Sequence, residues 1–213
     1  MNILLIGPQG SGKGTQARLL VEKLGFYYFE SGRFLREISQ KNEVVKKMLS
    51  EGTFVPDKEM VSYVTAYLDE NGIYDNILFD GFPRSIAQYD FLKSWLNEKN
   101  VNLNLALILE ISEKETVRRL SARRSDPQTG KIYNLITDPP PADVDKNVLV
   151  QRDDDKPDAI KKRLGWYKDQ VMPLIVELKK EIEVVEINGE RSIEEIQNDL
   201  VKCINSIQKQ NLK

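Results

Sequence analysis

The chain opens on the apolar run Ile3-Leu4-Leu5-Ile6, which stops at a glycine. Short β-rich apolar runs then alternate with longer segments in which apolar residues recur every three or four positions. Five runs predict strands, at Ile3 to Ile6, Phe26 to Phe29, Ile77 to Asp80, Leu105 to Ile111 and Glu183 to Ile187. This alternation is the signature of βα units around a parallel sheet, and the low polarity of the runs predicts helices over both faces. Two helix starts are marked by capping boxes, Ser112-Glu113-Lys114-Glu115 and Ser192-Ile193-Glu194-Glu195. In that motif the serine oxygen and the glutamate carboxylate satisfy orphan backbone N–H groups. Helices are predicted over Glu113 to Arg124, Ile193 to Gln208 and, after the Pro56 break, Asp57 to Glu70. A further helix starts near Pro157 and runs through Tyr167, and Pro173 is expected to kink or end it.

One stretch breaks the rhythm. Ser125 to Gln151 carries turn signals at Asp126-Pro127 and Thr129-Gly130, a short possible strand at Lys131-Ile132-Tyr133, then Asp138-Pro139-Pro140-Pro141 and scattered acids. It reads as an insertion, and a loop of this length in a compact domain usually carries function or structure of its own.

Composition narrows the chemistry. The 213 residues are 40% hydrophobic and 30% charged, which describes a packed interior under a charged surface. With 31 basic and 33 acidic residues the formal charge is −2, so neither nucleic acid nor an anionic membrane is suggested as a partner, and any anion site must be built locally. There is no histidine, which removes Ser-His hydrolases, Cys-His proteases and histidine-ligated zinc enzymes. Cys203 is the single cysteine. It forms neither an internal disulfide nor a zinc cluster, and its place among Ile196, Leu200, Ile204 and Ile207 predicts a small buried hydrophobe. No leader or membrane span is visible, so the expected location is the cytoplasm.

Gly7-Pro8-Gln9-Gly10-Ser11-Gly12-Lys13-Gly14-Thr15 follows the first strand and opens a helix, the context of a phosphate-binding loop. Backbone N–H groups converge on phosphate oxygens there, the helix N-terminus adds its dipole, and Lys13 adds a full cation. Position 14 is Gly and the hydroxyl comes one place later, at Thr15, so the usual magnesium-ligating residue of such loops is missing and magnesium must be organised elsewhere. Asp80, at the C-terminal end of an apolar strand, is the candidate to hold magnesium directly or through its waters.

With that loop, Ser31-Gly32-x-x-Leu35-Arg36, Val55-Pro56-Asp57, Asp80-Gly81-Phe82-Pro83-Arg84 and Arg119-x-x-x-Arg123-Arg124 in order, the chain closely resembles the adenylate kinases. The resemblance implies an α/β fold, a parallel five-stranded P-loop kinase core with helices on both faces. That core is formed by residues 1–30, 56–121 and 156–213, with a monophosphate-binding flap over 31–55 and a lid over 122–155. It implies magnesium-dependent transfer of a phosphoryl group from ATP to AMP, giving two ADP, by a monomer.

The implied donor site comprises Gly10, Ser11, Gly12, Lys13, Gly14, Thr15, Arg119, Arg123, Ile132, Tyr133 and Arg191. The implied acceptor site comprises Ser31, Arg36, Thr53, Phe54, Val55, Gly81, Phe82, Pro83, Arg84, Gln88, Arg152 and Arg163. Arginine forks suit a transition state that spreads negative charge over phosphoryl oxygens, and Arg119 and Arg123, one helical turn apart, are expected to face the donor together. Asp154 and Asp155 either orient arginines or act as helix N-terminal acids. The Gln88 amide gives one hydrogen bond and takes one, matching the edge of adenine, although a flipped amide matches guanine. Ser31 stands where the family usually has Thr, and Arg33 where it commonly has Asp. UMP, CMP or GMP as acceptor, and a P-loop ATPase or switch, are the alternatives. In place of a zinc-stapled lid, Asp126 and Thr129 are expected to bond with Asp143 or Asp145.

Overall fold

The computed structural model describes residues 1–51 and 53–211. Gly52, in the expected flap, and Leu212 and Lys213, at the end of the expected core, lie outside the described residues. In chain order the elements of the main body are β1 (Asn2–Ile6), α1 (Lys13–Leu24), β2 (Tyr27–Glu30), α2 (Ser31–Ser39), α3 (Glu43–Ser50) and α4 (Asp57–Glu70). They continue as β3 (Ile77–Asp80), α5 (Ile86–Glu98), β4 (Leu103–Glu110) and α6 (Glu113–Ser121). The inserted segment holds β5 (Arg123–Ser125) and β6 (Ile132–Asn134), and the chain ends with α7 (Pro157–Trp166), α8 (Met172–Glu181), β7 (Glu183–Asn188) and α9 (Ile193–Asn211).

The five apolar runs therefore form strands within one or two residues of their expected places. They make a single parallel sheet in the order β2-β3-β1-β4-β7. Alternation along the strands explains why helices cover both faces. Leu4 and Ile6 of β1 join one cluster with Val64 of α4, Leu92 of α5 and Leu174 of α8, while Ile3 and Leu5 join another with Leu20 of α1 and Leu200 and Ile204 of α9. Burying each such side chain contributes about 1.5–3 kcal/mol. The chain builds first to one side of β1 and then to the other, so the crevice beyond its C-terminal end is the place where an open α/β sheet receives ligands.

The helix expected over Glu113 to Arg124 ends at Ser121. Arg123 and Arg124 belong to β5, because Arg124 is in register with Tyr133 of β6 and Ser125 exchanges both backbone hydrogen bonds with Val150, each 2.9 Å. Arg119 and Arg123 therefore do not share a helix face. Pro173 accompanies a break in the helix, which ends as α7 at Trp166 and resumes as α8 at Met172. It falls in the first turn of α8, and the chain widens into a π turn over Tyr167–Val171 immediately before it. A proline cannot donate to the preceding turn, and the wider turn absorbs that mismatch.

The two capping boxes also differ. At Ser192 both halves form: Ser192 Oγ accepts from Glu195 N at 3.3 Å and Glu195 Oε2 accepts from Ser192 N at 3.1 Å. At Ser112 only the serine half forms, since Glu190 Oε1 takes the Ser112 N–H at 2.8 Å and Glu115 turns to arginines. In the insertion, Asp126 accepts from Gln128 N, Thr129 N and Thr129 Oγ1, while Asp145 accepts from Asn147 N. Among the described residues nothing joins Asp126 or Thr129 to Asp143 or Asp145, because the turn backbone already satisfies Asp126 and Asp145 locally. Cys203 is half-buried against the α1/α9 side of the sheet. No described helix is long and apolar enough to cross a membrane.

Candidate active site

A cleft with about 130 Å³ of internal volume lies beyond the end of β1, bounded by Gly7, Gln9, Lys13, Arg84, Arg163 and Trp166. The loop that forms one wall turns into α1 at Gly12, whose φ of 95° is in the left-handed region. Ser11 is buried under it, and Gly14 and Thr15 begin the helix. Lys13 is half-buried by area, but its Nζ is turned inward and donates to Gly7 O at 2.7 Å and Pro8 O at 2.9 Å. Burial pushes its pKa down to about 8. Asp80 opposes that fall, and Arg84, Arg123 and Arg163 deepen it.

Asp80 stands at the end of β3, in register with Leu5 on one side and Glu30 on the other. Burial raises its pKa, with Glu30 adding to the rise and Lys13 opposing it. Tyr28 OH donates to Asp80 Oδ2 at 3.0 Å. Tyr28 and Glu30 are absent from the residues expected at this site. The rule that picks out Asp80, a polar residue at the C-terminal end of a strand, also applies to Glu30.

The opposite wall is built on the turn after β3. Gly81 has φ 74°, and a Cβ there would lie 2.6 Å from Ser31 Oγ and 2.7 Å from Arg84 Nη2, so only glycine admits the arginine. Arg84 Nε donates to Gly81 O at 2.5 Å and Nη2 to Ser31 Oγ at 3.2 Å, while Ser31 Oγ itself donates to Gly81 O. Burial, then the facing Arg163, push the Arg84 pKa down to about 10. Phe82 and Pro83 are buried behind this turn. Phe54, arriving from the segment after α3, stacks on Trp166 with ring centroids 4.0 Å apart, and Val55 is buried beside it. Thr53 is exposed and its hydroxyl donates to Met48 O. Trp166 is a further wall residue that its sequence context, within a charged helix, does not signal.

Of the remaining arginines, Arg36, Arg119, Arg123 and Arg163 are held by carboxylates. Arg123 grips Asp155 through two bonds of 2.8 and 2.6 Å, and Arg163 Nη1 lies 2.7 Å from Asp154 Oδ2. Asp154 and Asp155 thus orient arginines; Asp155 is also buried, which raises its pKa against the pull of Arg123. Arg152 is lowered by burial and by Arg123. Arg36 reaches Glu30 at 3.3 Å. Arg119 donates to Glu115 Oε1 at 2.6 Å and to Gly189 O at 2.8 Å, beside the phosphate loop, since a Cβ on Gly189 would lie 3.3 Å from Ser11 O. Glu115 is driven down to about 2 by Arg118 and Arg119.

The family model for adenylate kinase matches residues 5–183. Curated adenylate kinases from Petrotoga mobilis, Salinibacter ruber and Methanothrix thermoacetophila are 34%, 33% and 35% identical, over 99%, 98% and 98% of this chain and 100% of each of theirs. The chain belongs to the adenylate kinase family.

Four residues that the pattern of an adenylate kinase places at the nucleotide sites, Gln88, Arg191, Ile132 and Tyr133, lie outside the lining of this cleft. Gln88 is not an open amide on a helix surface. It is buried, its Oε1 accepts from Arg84 N at 2.8 Å, and its Nε2 donates to Asp57 Oδ1 at 2.7 Å, so both polar ends brace the Gly81–Arg84 turn. Those partners also fix which end is oxygen. Arg191 turns away from the cleft to Asp199 on α9, at 2.6 Å. Ile132 and Tyr133 lie on β6, Tyr133 buried and under Lys131, and neither borders the cleft. Arg33 extends along α2 to Glu37 at 3.5 Å, which leaves Glu30 as the acid nearest Arg36.

Proposed function

We infer that Lys13, Arg84, Arg123, Arg152 and Arg163 carry the chemistry in this cleft. The chain is an ATP:AMP phosphotransferase: it moves the terminal phosphoryl group of ATP to AMP, reversibly, and yields two ADP. The donor triphosphate lies along Gly10 to Thr15 with Lys13 beneath it and Arg119 and Arg123 alongside. AMP lies against Ser31, Arg36 and Arg84, its base toward Thr53, Phe54 and Val55, and Arg152 and Arg163 complete the enclosure from the lid side. Gln88 acts from behind, by holding Arg84. Ile132, Tyr133 and Arg191 reach the donor base only if the lid and the loop after β7 rearrange.

An oxygen of the AMP phosphate attacks the γ-phosphorus in line, and the bridging oxygen departs on the β-phosphate of the new ADP. The attacking oxygen is already ionised at neutral pH, so no general base is needed, in accord with a histidine-free chain. The convergence of Lys13, Arg84 and Arg163 on one cleft is the observation that supports this reading, and these guanidinium groups, with that of Arg123, lower the Lys13 pKa. A cleft in which like charges are held together favours a polyanion and then a transition state richer in equatorial charge.

Asp80 and Glu30, hard oxygen donors in register at the sheet edge, fit magnesium carried by the triphosphate and held through its water shell. The ion would neutralise phosphate charge. We further propose that the flap over 31–55 and the lid over 122–155 close on the two nucleotides and exclude water, and that the enzyme is a cytoplasmic monomer.

The test is to incubate the protein with Mg-ATP and AMP, UMP, CMP or GMP in turn, following diphosphate and free phosphate. Rapid ADP formation with AMP is expected. Diphosphate formation from another monophosphate but not from AMP would change the acceptor, and phosphate release without any monophosphate would overturn the transfer reading. A pH profile adds a second expectation. The ammonium form of Lys13 is the one that grips phosphate, so kcat/KM for ATP should fall tenfold per unit as pH rises through about 8. The same group binds more protons unfolded than folded between about 8 and its ordinary 10.5, so its contribution to stability should rise over that window. A kcat/KM that stays flat well above that pH would mean that Lys13 does not grip the donor phosphates.

A further inference from the structure

Gln9 occupies the tip of the phosphate loop and borders the cleft, yet nothing in the transfer reaction uses it. Its Nε2 donates to Asp154 Oδ2 and to Asp155 Oδ1, each at 3.3 Å. Those oxygens are already engaged: Asp154 Oδ2 holds Arg163 at 2.7 Å and Asp155 Oδ1 holds Arg123 at 2.6 Å. One neutral amide therefore spans the two acids that aim two arginines from different elements, β5 and α7. Its other end, Oε1, is enclosed and has no hydrogen-bond partner among the described residues. Turning the amide over would set Oε1 against two carboxylates, so the orientation is fixed by charge.

We propose that Gln9 is a positioning residue that ties the phosphate loop to the Asp154/Asp155 pair and so sets the aim of Arg123 and Arg163. The chemistry of the side chain fits the task. A cation at this place would compete with the arginines for the same oxygens, and an acid would add repulsion, whereas an amide donates to both carboxylates without neutralising either. A residue chosen only to fill space would not carry an enclosed, unpaired carbonyl into the loop. The link makes the loop that receives the donor phosphates and the groups that stabilise their transfer parts of one hydrogen-bonded unit.

The role of Gln9 rests on Arg123 and Arg163 being catalytic, and the experiment separates the two. Gln9→Met keeps the length of the side chain and removes both polar ends; Gln9→Ala removes the bulk as well; Arg163→Ala is measured beside them, all with saturating and limiting ATP and AMP. Both Gln9 variants should lose about tenfold in kcat, with KM for each nucleotide within about twofold of the parent. The unfolding temperature of Gln9→Met should not drop, because an unpaired buried carbonyl has gone. Unchanged kcat in Gln9→Met beside a crippled Arg163→Ala would overturn the role of Gln9 alone. So would a raised KM for ATP at constant kcat, which would mean that the residue only shapes the loop. A fully active Arg163→Ala would overturn the assignment of the arginines, and that of Gln9 with it.

Discussion

Lys13→Ala should reduce kcat by about 10²- to 10³-fold, the usual loss when one fixed donor to developing phosphoryl charge is removed, and should leave the chain folded. Among the described residues the ammonium makes no ion pair with a carboxylate; its bonds are to Gly7 O, Pro8 O and, at 3.5 Å, Ser11 Oγ, and burial holds its pKa at about 8. Removing it frees two loop carbonyls at the edge of the cleft and relieves the mutual repulsion with Arg84, Arg123 and Arg163. The unfolding temperature near neutral pH should therefore equal or exceed that of the parent. A coupled assay for ADP and a thermal melt check the two halves separately. Turnover within tenfold of the parent would show that the loop backbone grips the donor phosphates without the lysine.

Arg84→Ala should have a loss of similar size on the acceptor side, with a different kinetic signature. A guanidinium committed to Gly81 O through Nε and to Ser31 Oγ through Nη2 is held in one plane, and in the proposed function its free N–H groups are what AMP meets. Its removal should raise KM for AMP at least tenfold and lower kcat about 10²-fold, while KM for ATP changes little. Arg84→Lys should recover little of this, because an ammonium can neither fork nor reproduce the bond to Gly81 O. Ser31 Oγ keeps its own bond to Gly81 O in either variant, so no buried hydroxyl is orphaned and the fold should survive. An unchanged KM for AMP would place the acceptor phosphate elsewhere.

The parts of this site that are legible in the sequence are those set by local pattern. The phosphate loop follows directly from a strand, glycines and a lysine. Asp80 follows from the end of an apolar run, and the strands follow from the density of β-branched and leucine residues, which the surrounding helices then bury on both sides. What stays illegible depends on partners far along the chain. Arg123 leaves its helix because Val150 and Tyr133 offer backbone pairing that no helical periodicity reveals. Gln88 has the pattern of a surface amide because Asp57, which claims its Nε2, lies on a different helix. The Ser112 capping box half-forms because Glu190 arrives from the loop after β7 and takes the N–H that the motif assigns to Glu115. Gln9 sits in a position that the loop pattern leaves open, and its meaning appears only with Asp154 and Asp155 beside it.

The Arg123–Asp155 and Arg163–Asp154 pairs have a consequence for turnover. If each guanidinium meets phosphate with its other N–H groups, as the proposed function requires, it keeps its carboxylate throughout, and a departing nucleotide leaves behind arginines that are already satisfied. On the proposed reading, the site is thereby kept from clinging to ADP, and restraint in affinity becomes speed of release.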